Sequence, residues 1–357
     1  MVKVYCPRCG RIGYLGRMRI KGYVYYYVVH RDNGKWSSHY IGKPNCLRVP
    51  ITLSPRDHLS ITPFFGGKKF MLKYLALFVP PHEVYVEVFG GMAAFLLNKP
   101  RSKLEVYNDI DGDLINVFKV IRDHWEEFVE RYMWLIPSRQ LYIEMRDKWL
   151  RGEKPEDPIE RAVWFVFLHR LAYGGSLIKG YAGTRSQISR CVIPQSMINV
   201  KSMTSRSLIP SGFVGNKRIA SRDQLKNDTE RALRNWIKRI HSRLSRVVIE
   251  NLDYRECIRK YDSPETRFYL DPPYLGYKGG YVHGDWSEKD YEELYKVLRS
   301  VKGKWIMNHV DHPYICEPFR EFYIIEVECI RSTKRVKKGS KREKYTELFI
   351  ANYPLQY

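Results

Sequence analysis

The sequence predicts an α/β protein: an open, mostly parallel sheet flanked by helices, preceded by a small β module. Three observations carry this. Val84–Val88 is a buried-strand pattern, and Phe89–Leu96, with its Gly90-Gly91 turn, follows directly and reads as a helix. Strand, glycine turn and helix in that order mark a doubly wound sheet. Arg267–Leu270 is a second short aromatic and apolar run, and Pro272-Pro273 forces the chain out of the sheet just beyond it. Cys6-Pro7-Arg8-Cys9 opens the chain with a tight turn of two thiols, followed by a tyrosine-rich run and an Asn33-Gly34 hairpin signal.

Length and charge narrow the class. The 357 residues allow two or three domains, and 44% hydrophobic residues suffice for a real core. Lysine and arginine number 61 against 39 acids, a formal net charge of +22, so the expected partner is a polyanion. No apolar run approaches the ~20 residues of a membrane span, and no basic-then-apolar leader opens the chain. These features predict a cytoplasmic protein and favour nucleic acid over a membrane. Two closely paired cysteines, with Cys191, Cys257, Cys316 and Cys329 scattered, suggest reduced thiols plus one metal site, not a disulfide framework.

Residues 1–47 read as a separate module resembling a zinc ribbon. If Asn33-Gly34 is a two-residue hairpin loop, His30 lies opposite Ser37 and Val28 opposite His39, so the two histidines are diagonal neighbours on one face. Cys6, Cys9, His30 and His39 then form a candidate zinc site, with Cys46 as an alternative fourth ligand. Tyr23, Tyr25 and Tyr27 share a face; the favoured reading is that they cover the core of the module, the alternative that they stack on bases.

Residues 48–60 read as a linker. Residues 61–125 and 226–357 are assigned to the main α/β domain, and 126–225 to an inserted helical and recognition region. Pro63–Lys68 opens a helix running through Leu75; Gly66-Gly67 permits close backbone approach, and Lys68 offers a cation at the helix start. Leu104–Asp109 is the next strand, and its terminal acid, Asp109, suits either ribose hydroxyls or the cap of the following helix. Trp125–Leu150 and Arg161–Leu171 have helical periodicity. Between Tyr173 and Arg222 glycine, hydroxyls and cations mix, as on a surface that follows phosphates. Leu275–Asp285 reads as a mobile loop, and Arg331–Lys344 as a basic loop, gripping DNA backbone or merely solvated.

Asp271-Pro272-Pro273-Tyr274 is the strongest chemical signal. It sets an acid and a phenol at the carboxyl end of a strand, where ligands bind in open α/β sheets. An exocyclic amine on a nucleobase is a poor nucleophile because its lone pair is delocalised into the ring. The Asp271 carboxylate and the Pro272 carbonyl can accept its two N–H bonds, and Tyr274 can stack on the base.

That string resembles the catalytic motif of amino-methyltransferases. Pro63–Lys68, Glu87–Gly91, Asn108-Asp109, Val248–Asp253, Asp271–Tyr274 and Tyr345–Tyr353 occur in the order seen in the Dam-like adenine-N6 DNA methyltransferases of the D12 class. The similarity covers roughly residues 58 to 357. Phe64-Phe65 is a departure, since relatives often have Trp or Arg followed by Ala; the amino-terminal module lies outside the family pattern. The resemblance implies a Rossmann-like sheet binding S-adenosylmethionine, with Phe64, Lys68, Phe89, Gly90, Gly91, Asp109, Asp253 and Asp271 around the cofactor. It implies site-specific methylation of a flipped adenine in double-stranded DNA, and a restriction endonuclease as a possible cellular partner. Competing expectations are the same chemistry on cytosine N4, on RNA or on a glutamine side chain, and a non-catalytic DNA-binding protein on this fold. Asp in the first motif position favours adenine.

Overall fold

A computed structural model describes residues 3–6, 8–9, 11–20, 23–32, 35–42, 58–62, 68, 71–80, 82–135, 138–177, 180–181, 222–275, 285–330 and 344–355. Phe64 and the rest of Pro63–Gly67, Asn33-Gly34, Cys46, most of Tyr173–Arg222 and of the two expected loops, and all but Lys344 of the basic run lie outside these residues.

The small sheet is antiparallel, in the order β1 (Lys3–Tyr5), β2 (Ile12–Ile20), β3 (Tyr23–Asp32), β4 (Lys35–Gly42). Its register has the expected pairs, His30 with Ser37 and Val28 with His39, and Asp32 with Lys35 closes the hairpin. Cys6, Val28 and Ile41 form its small core. Tyr25 and Tyr27 alternate with Val28 and so lie on the opposite face. The favoured expectation that they cover the module's core is therefore corrected.

The large sheet has seven strands in a mixed α/β architecture. β5 (Val84–Glu87), β6 (Leu104–Asn108), β7 (Val247–Glu250), β8 (Thr266–Leu270) and β9 (Lys304–Val310) pair in parallel. After β10 (Tyr323–Ile330), β11 (Lys344–Ala351) runs antiparallel between β9 and β10. The order across the sheet is β10-β11-β9-β8-β5-β6-β7. Burial on both faces of β5, β6 and β8 accounts for their mostly apolar sequences, interrupted by Glu87, Glu105 and Arg267. One face packs Val86, Val88, Phe268, Leu270, Trp305, Met307, Leu348 and Ile350 against helices Tyr254–Tyr261 and Glu288–Arg299.

The helix expected over Phe89–Leu96 is instead a series of turns. Gly91 and Ala93 both adopt φ of 49°, which a right-handed helix cannot contain. Glu87 pins this turn by accepting the Leu96 N–H at 3.0 Å.

The chain divides into two compact units, one comprising Met1–Ser54, Phe64–Ile115 and Arg246–Tyr357, the other Pro55–Pro63 and Asn116–Ser245. The second unit is helical, with Trp125–Trp134, Arg139–Leu150, Pro158–Leu171 and Arg222–Leu244. Two of these helices start where a side chain satisfies a free amide: Ser138 accepts from Leu141 N, and Asp157 from Glu160 N ahead of Pro158. Trp236 donates its indole N–H to Ser60 O at 3.0 Å, tying the short leading segment to the longest helix. No helix among the described residues is long and apolar enough to cross a membrane.

Candidate active site

The topology fixes where a ligand can enter. The chain leaves β5 towards β6 and β7, then returns to the other side of β5 as β8. The connections after β5 and β8 therefore diverge, and the crevice between their carboxyl ends is the switch point of the sheet. Gly90, Gly91 and Asp271 all follow those two strand ends.

Asp271 follows Leu270 directly, and its side chain is 18% exposed. Lys68 Nζ lies 2.8 Å from Asp271 Oδ1, an ion pair whose angles do not make an aligned hydrogen bond. Burial raises the Asp271 carboxyl to about 6, and Lys68 opposes the rise. The same ammonium sits 4.4 Å from the centre of the Tyr274 ring. The Tyr274 hydroxyl donates to Glu347 Oε2 at 2.8 Å, and burial pushes its pKa well above the usual phenol value. His309 packs its ring 4.7 Å from Tyr274 and accepts the Leu275 N–H at Nε2. Burial lowers His309 to about 4, so it is neutral, with Nδ1 2.6 Å from Val310 O as donor. Tyr291 donates to Pro273 O at 2.9 Å. The four-residue string is thus held from β9, β11 and helix Glu288–Arg299.

A second cluster forms at the ends of β5, β6 and β7. Asp109 accepts the Gly91 N–H on Oδ2 at 2.8 Å and the Asp111 N–H on Oδ1 at 2.9 Å. The helix cap considered for Asp109 belongs instead to Asp111, whose Oδ1 accepts from Asp113 N and Leu114 N at the start of helix Gly112–Asp123. A Cβ on Gly90 would stand 2.1 Å from the Tyr107 ring and 2.8 Å from Asn108 O, so only glycine permits this approach of the turn to β6. Asn108 donates to Val88 O and Leu252 O and accepts from Leu252 N, joining three strand ends. Phe89 packs 5.5 Å from Tyr254 and 5.4 Å from Trp286. Asp253 caps helix Tyr254–Tyr261 through Arg255 N and pairs with Arg255 Nε at 2.8 Å. Burial alone would raise its carboxyl, but the Arg255 contacts hold it below its ordinary value.

In the small sheet, Cys6, Cys9, His30 and His39 bring their ligand atoms within 4.8 Å of one another. Cys6 Sγ is 3.2 Å from His39 Nδ1, and Cys9 Sγ is 3.5 Å from His30 Nε2. Gly13 makes room for this: a Cβ there would stand 2.9 Å from His30 Nδ1 and 2.6 Å from Val29 O.

The structure therefore brings Lys68, Asp271 and Tyr274 together, sets Gly90, Gly91, Asp109, Phe89 and Asp253 at neighbouring strand ends, and gathers the four metal candidates. Sequence reasoning gave no side-chain role to Glu347, His309 or Tyr291. An acid directly before the apolar run Leu348–Ala351 was the available signal for Glu347.

The profile of D12 class N6 adenine-specific DNA methyltransferases matches residues 64–186 and 197–333. The chain is 31% identical over 114 residues to the DNA adenine methylase of Escherichia coli (strain K12), a segment that is 31% of this chain and spans 40% of that protein. It is 24% identical over 325 residues to the type II methyltransferase M1.LlaDCHI of Lactococcus lactis subsp. cremoris, covering 85% of this chain and 99% of that protein. It is 22% identical over 324 residues to the type II methyltransferase M.MjaIII of Methanocaldococcus jannaschii, covering 83% and 100%. The small amino-terminal sheet lies outside the matched profile.

Proposed function

We propose that this chain, which belongs to the D12 class N6 adenine-specific DNA methyltransferase family, methylates the N6 amine of a specific adenine in double-stranded DNA. The observation that carries the proposal is the Asp271–Tyr274 string at the sheet's switch point, with Asp271 paired to Lys68. The target amine is buried in base pairing, so the adenine leaves the helix. Asp271 as carboxylate and the Pro272 carbonyl accept its N–H bonds and hold the nitrogen lone pair towards the donor. Lys68 keeps Asp271 ionised despite burial. Tyr274 stacks on the extruded base, and Glu347 holds the phenol in place. S-adenosylmethionine, when bound, supplies an electrophilic methyl group on sulfonium sulfur. The residues present fit that cofactor: Asp109 carries a half-buried carboxylate for ribose hydroxyls, Phe89 an aromatic wall, and a Cβ on Gly91 would meet nothing within 4 Å. Asp253, Gly90 and, outside the described residues, Phe64 complete the proposed set. Labelled methyl transfer to duplex DNA followed by nucleoside analysis tests the reading. N6-methyladenine is expected; N4-methylcytosine, or no product, overturns it.

The cluster in the small sheet is proposed to hold one structural zinc through Cys6, Cys9, His30 and His39. Tetrahedral zinc with its usual bond lengths separates sulfur and nitrogen ligands by about 3.5 Å, which supports the fit of the observed 3.2 and 3.5 Å pairs. A core of Cys6, Val28 and Ile41 is too small to stabilise the sheet, so a metal is the expected staple.

The region between Tyr173 and Arg222 is assigned to target recognition, and Arg331–Lys344 to DNA backbone contact. The names of M1.LlaDCHI and M.MjaIII support a restriction endonuclease as cellular partner, and the substrate supports a cytoplasmic setting.

A further inference from the structure

The outer face of the small sheet carries chemistry that neither methyl transfer nor metal binding uses. Across the strands, Tyr25 sits opposite Met18, Tyr27 opposite Gly16 and Tyr40, and Arg31 opposite Trp36. Alternation along β3 turns these residues away from Val28 and His30, which serve the core and the ligand cluster. Trp36 is 61% exposed, Met18 54% and Tyr40 36%. The Tyr40 ring lies 5.5 Å from Tyr27 and 6.0 Å from Tyr25, and the Arg31 guanidinium 5.5 Å from the centre of the Trp36 ring. The tyrosine cluster and the Arg31–Trp36 pair share one face, and exposed aromatic side chains grouped on one face mark an interaction site.

Charge selects the partner. The first 54 positions hold ten lysines and arginines and a single acid, Asp32. Arg31 is the cation placed on this face, and rings beside a guanidinium on a basic module suit a phosphate chain whose base faces are free, because every base has a π face and every phosphate a negative charge. Duplex DNA keeps its base faces stacked inside and cannot use the rings.

We propose that the Tyr25, Tyr27, Tyr40, Arg31 and Trp36 face binds single-stranded nucleic acid by stacking on unpaired bases, at a site distinct from that of the adenine to be methylated. The proposal does not depend on the methyl-transfer reading, since its probe contains no amine to methylate. The full chain is titrated with an oligothymidylate and with an abasic phosphodiester strand of equal length and charge, at fixed salt. The thymine strand is expected to bind roughly 30-fold tighter or more, and W36A/Y40A to lose most of that preference. W36F, which keeps a ring for stacking, should retain it and guards against a folding defect in the double variant. Equal binding of both strands by the unaltered chain means charge alone attracts nucleic acid and overturns the proposal. So does full preference in W36A/Y40A.

Discussion

The large sheet and the small sheet solve the same problem, the convergence of four polar side chains, in opposite ways. In the large sheet Lys68, Asp271, Tyr274 and Glu347 meet beyond a deep apolar core that includes Phe268, Leu270, Trp305 and Met307. Scaffold and site are separate there, and the cost of burying the charges is met by packing elsewhere. In the small sheet Cys6 belongs both to the core and to the ligand cluster, so scaffold and site coincide. The difference teaches where a substitution should hurt. A change at the active site should remove chemistry and leave the fold; a change among the metal candidates should remove the fold of the module.

Asp271→Ala tests the first half most sharply. It deletes the acceptor for the target amine, and turnover should fall on the order of 10²–10³-fold or more, as when one transition-state hydrogen-bond partner is removed. Thermal unfolding should stay close to that of the unaltered chain. Near-normal turnover would remove the active site from this end of the sheet. Cys6→Ser tests the second half: stoichiometric zinc, read by metal analysis, should disappear, and amide exchange across β1–β4 should become fast. If neither the unaltered chain nor the variant contains zinc, the small sheet holds together by other means and the comparison fails.

A smaller effect sharpens the electrostatic side. Asp271 accepts hydrogen bonds only as a carboxylate, and its folded pKa is raised to about 6. Turnover should therefore drop with one proton as pH falls through about 6. Lys68 holds that pKa down, so Lys68→Met should move the acid limb to higher pH and lower the plateau. An unmoved limb would show that another group titrates in the profile. The smallest change expected is for Glu347→Gln, which keeps an acceptor but removes the charge from the bond to Tyr274. About 1 kcal/mol is at stake, a several-fold loss in turnover with little change in cofactor affinity by calorimetry. No loss would reduce Glu347 to a packing role.

The two regions also differ in how far the sequence disclosed them. The register of β3 and β4 was legible because the side-chain period is two and Asn33-Gly34 sets the loop length, so spacing alone puts both histidines on one face. β5 and β8 were legible as short, mostly apolar and aromatic runs, β6 as the strand that follows the glycine turn, and Asp271 through its neighbouring prolines. The turn at Gly90–Leu97 was not, because Ala93 in a left-handed conformation has no local cue. Glu347 was missed for a different reason: its bond to Tyr274 spans 73 positions and depends on β11 lying beside β9. The outward direction of Tyr25 and Tyr27 followed from Val28 facing the core, which the hairpin pattern alone does not say.

The position of β11 has a consequence for synthesis of the protein. β10 is made first, yet its ladder to the sheet runs through β11. As the chain emerges from the ribosome, β10 has no neighbour until β11 enters between it and β9. Glu347 arrives with that same strand. A nascent chain that ends before Lys344 can complete the parallel strands β5 to β9, but it lacks the group that holds Tyr274 and leaves the β9 edge open. The strand translated after β10 is thus also the one that closes the catalytic end of the sheet.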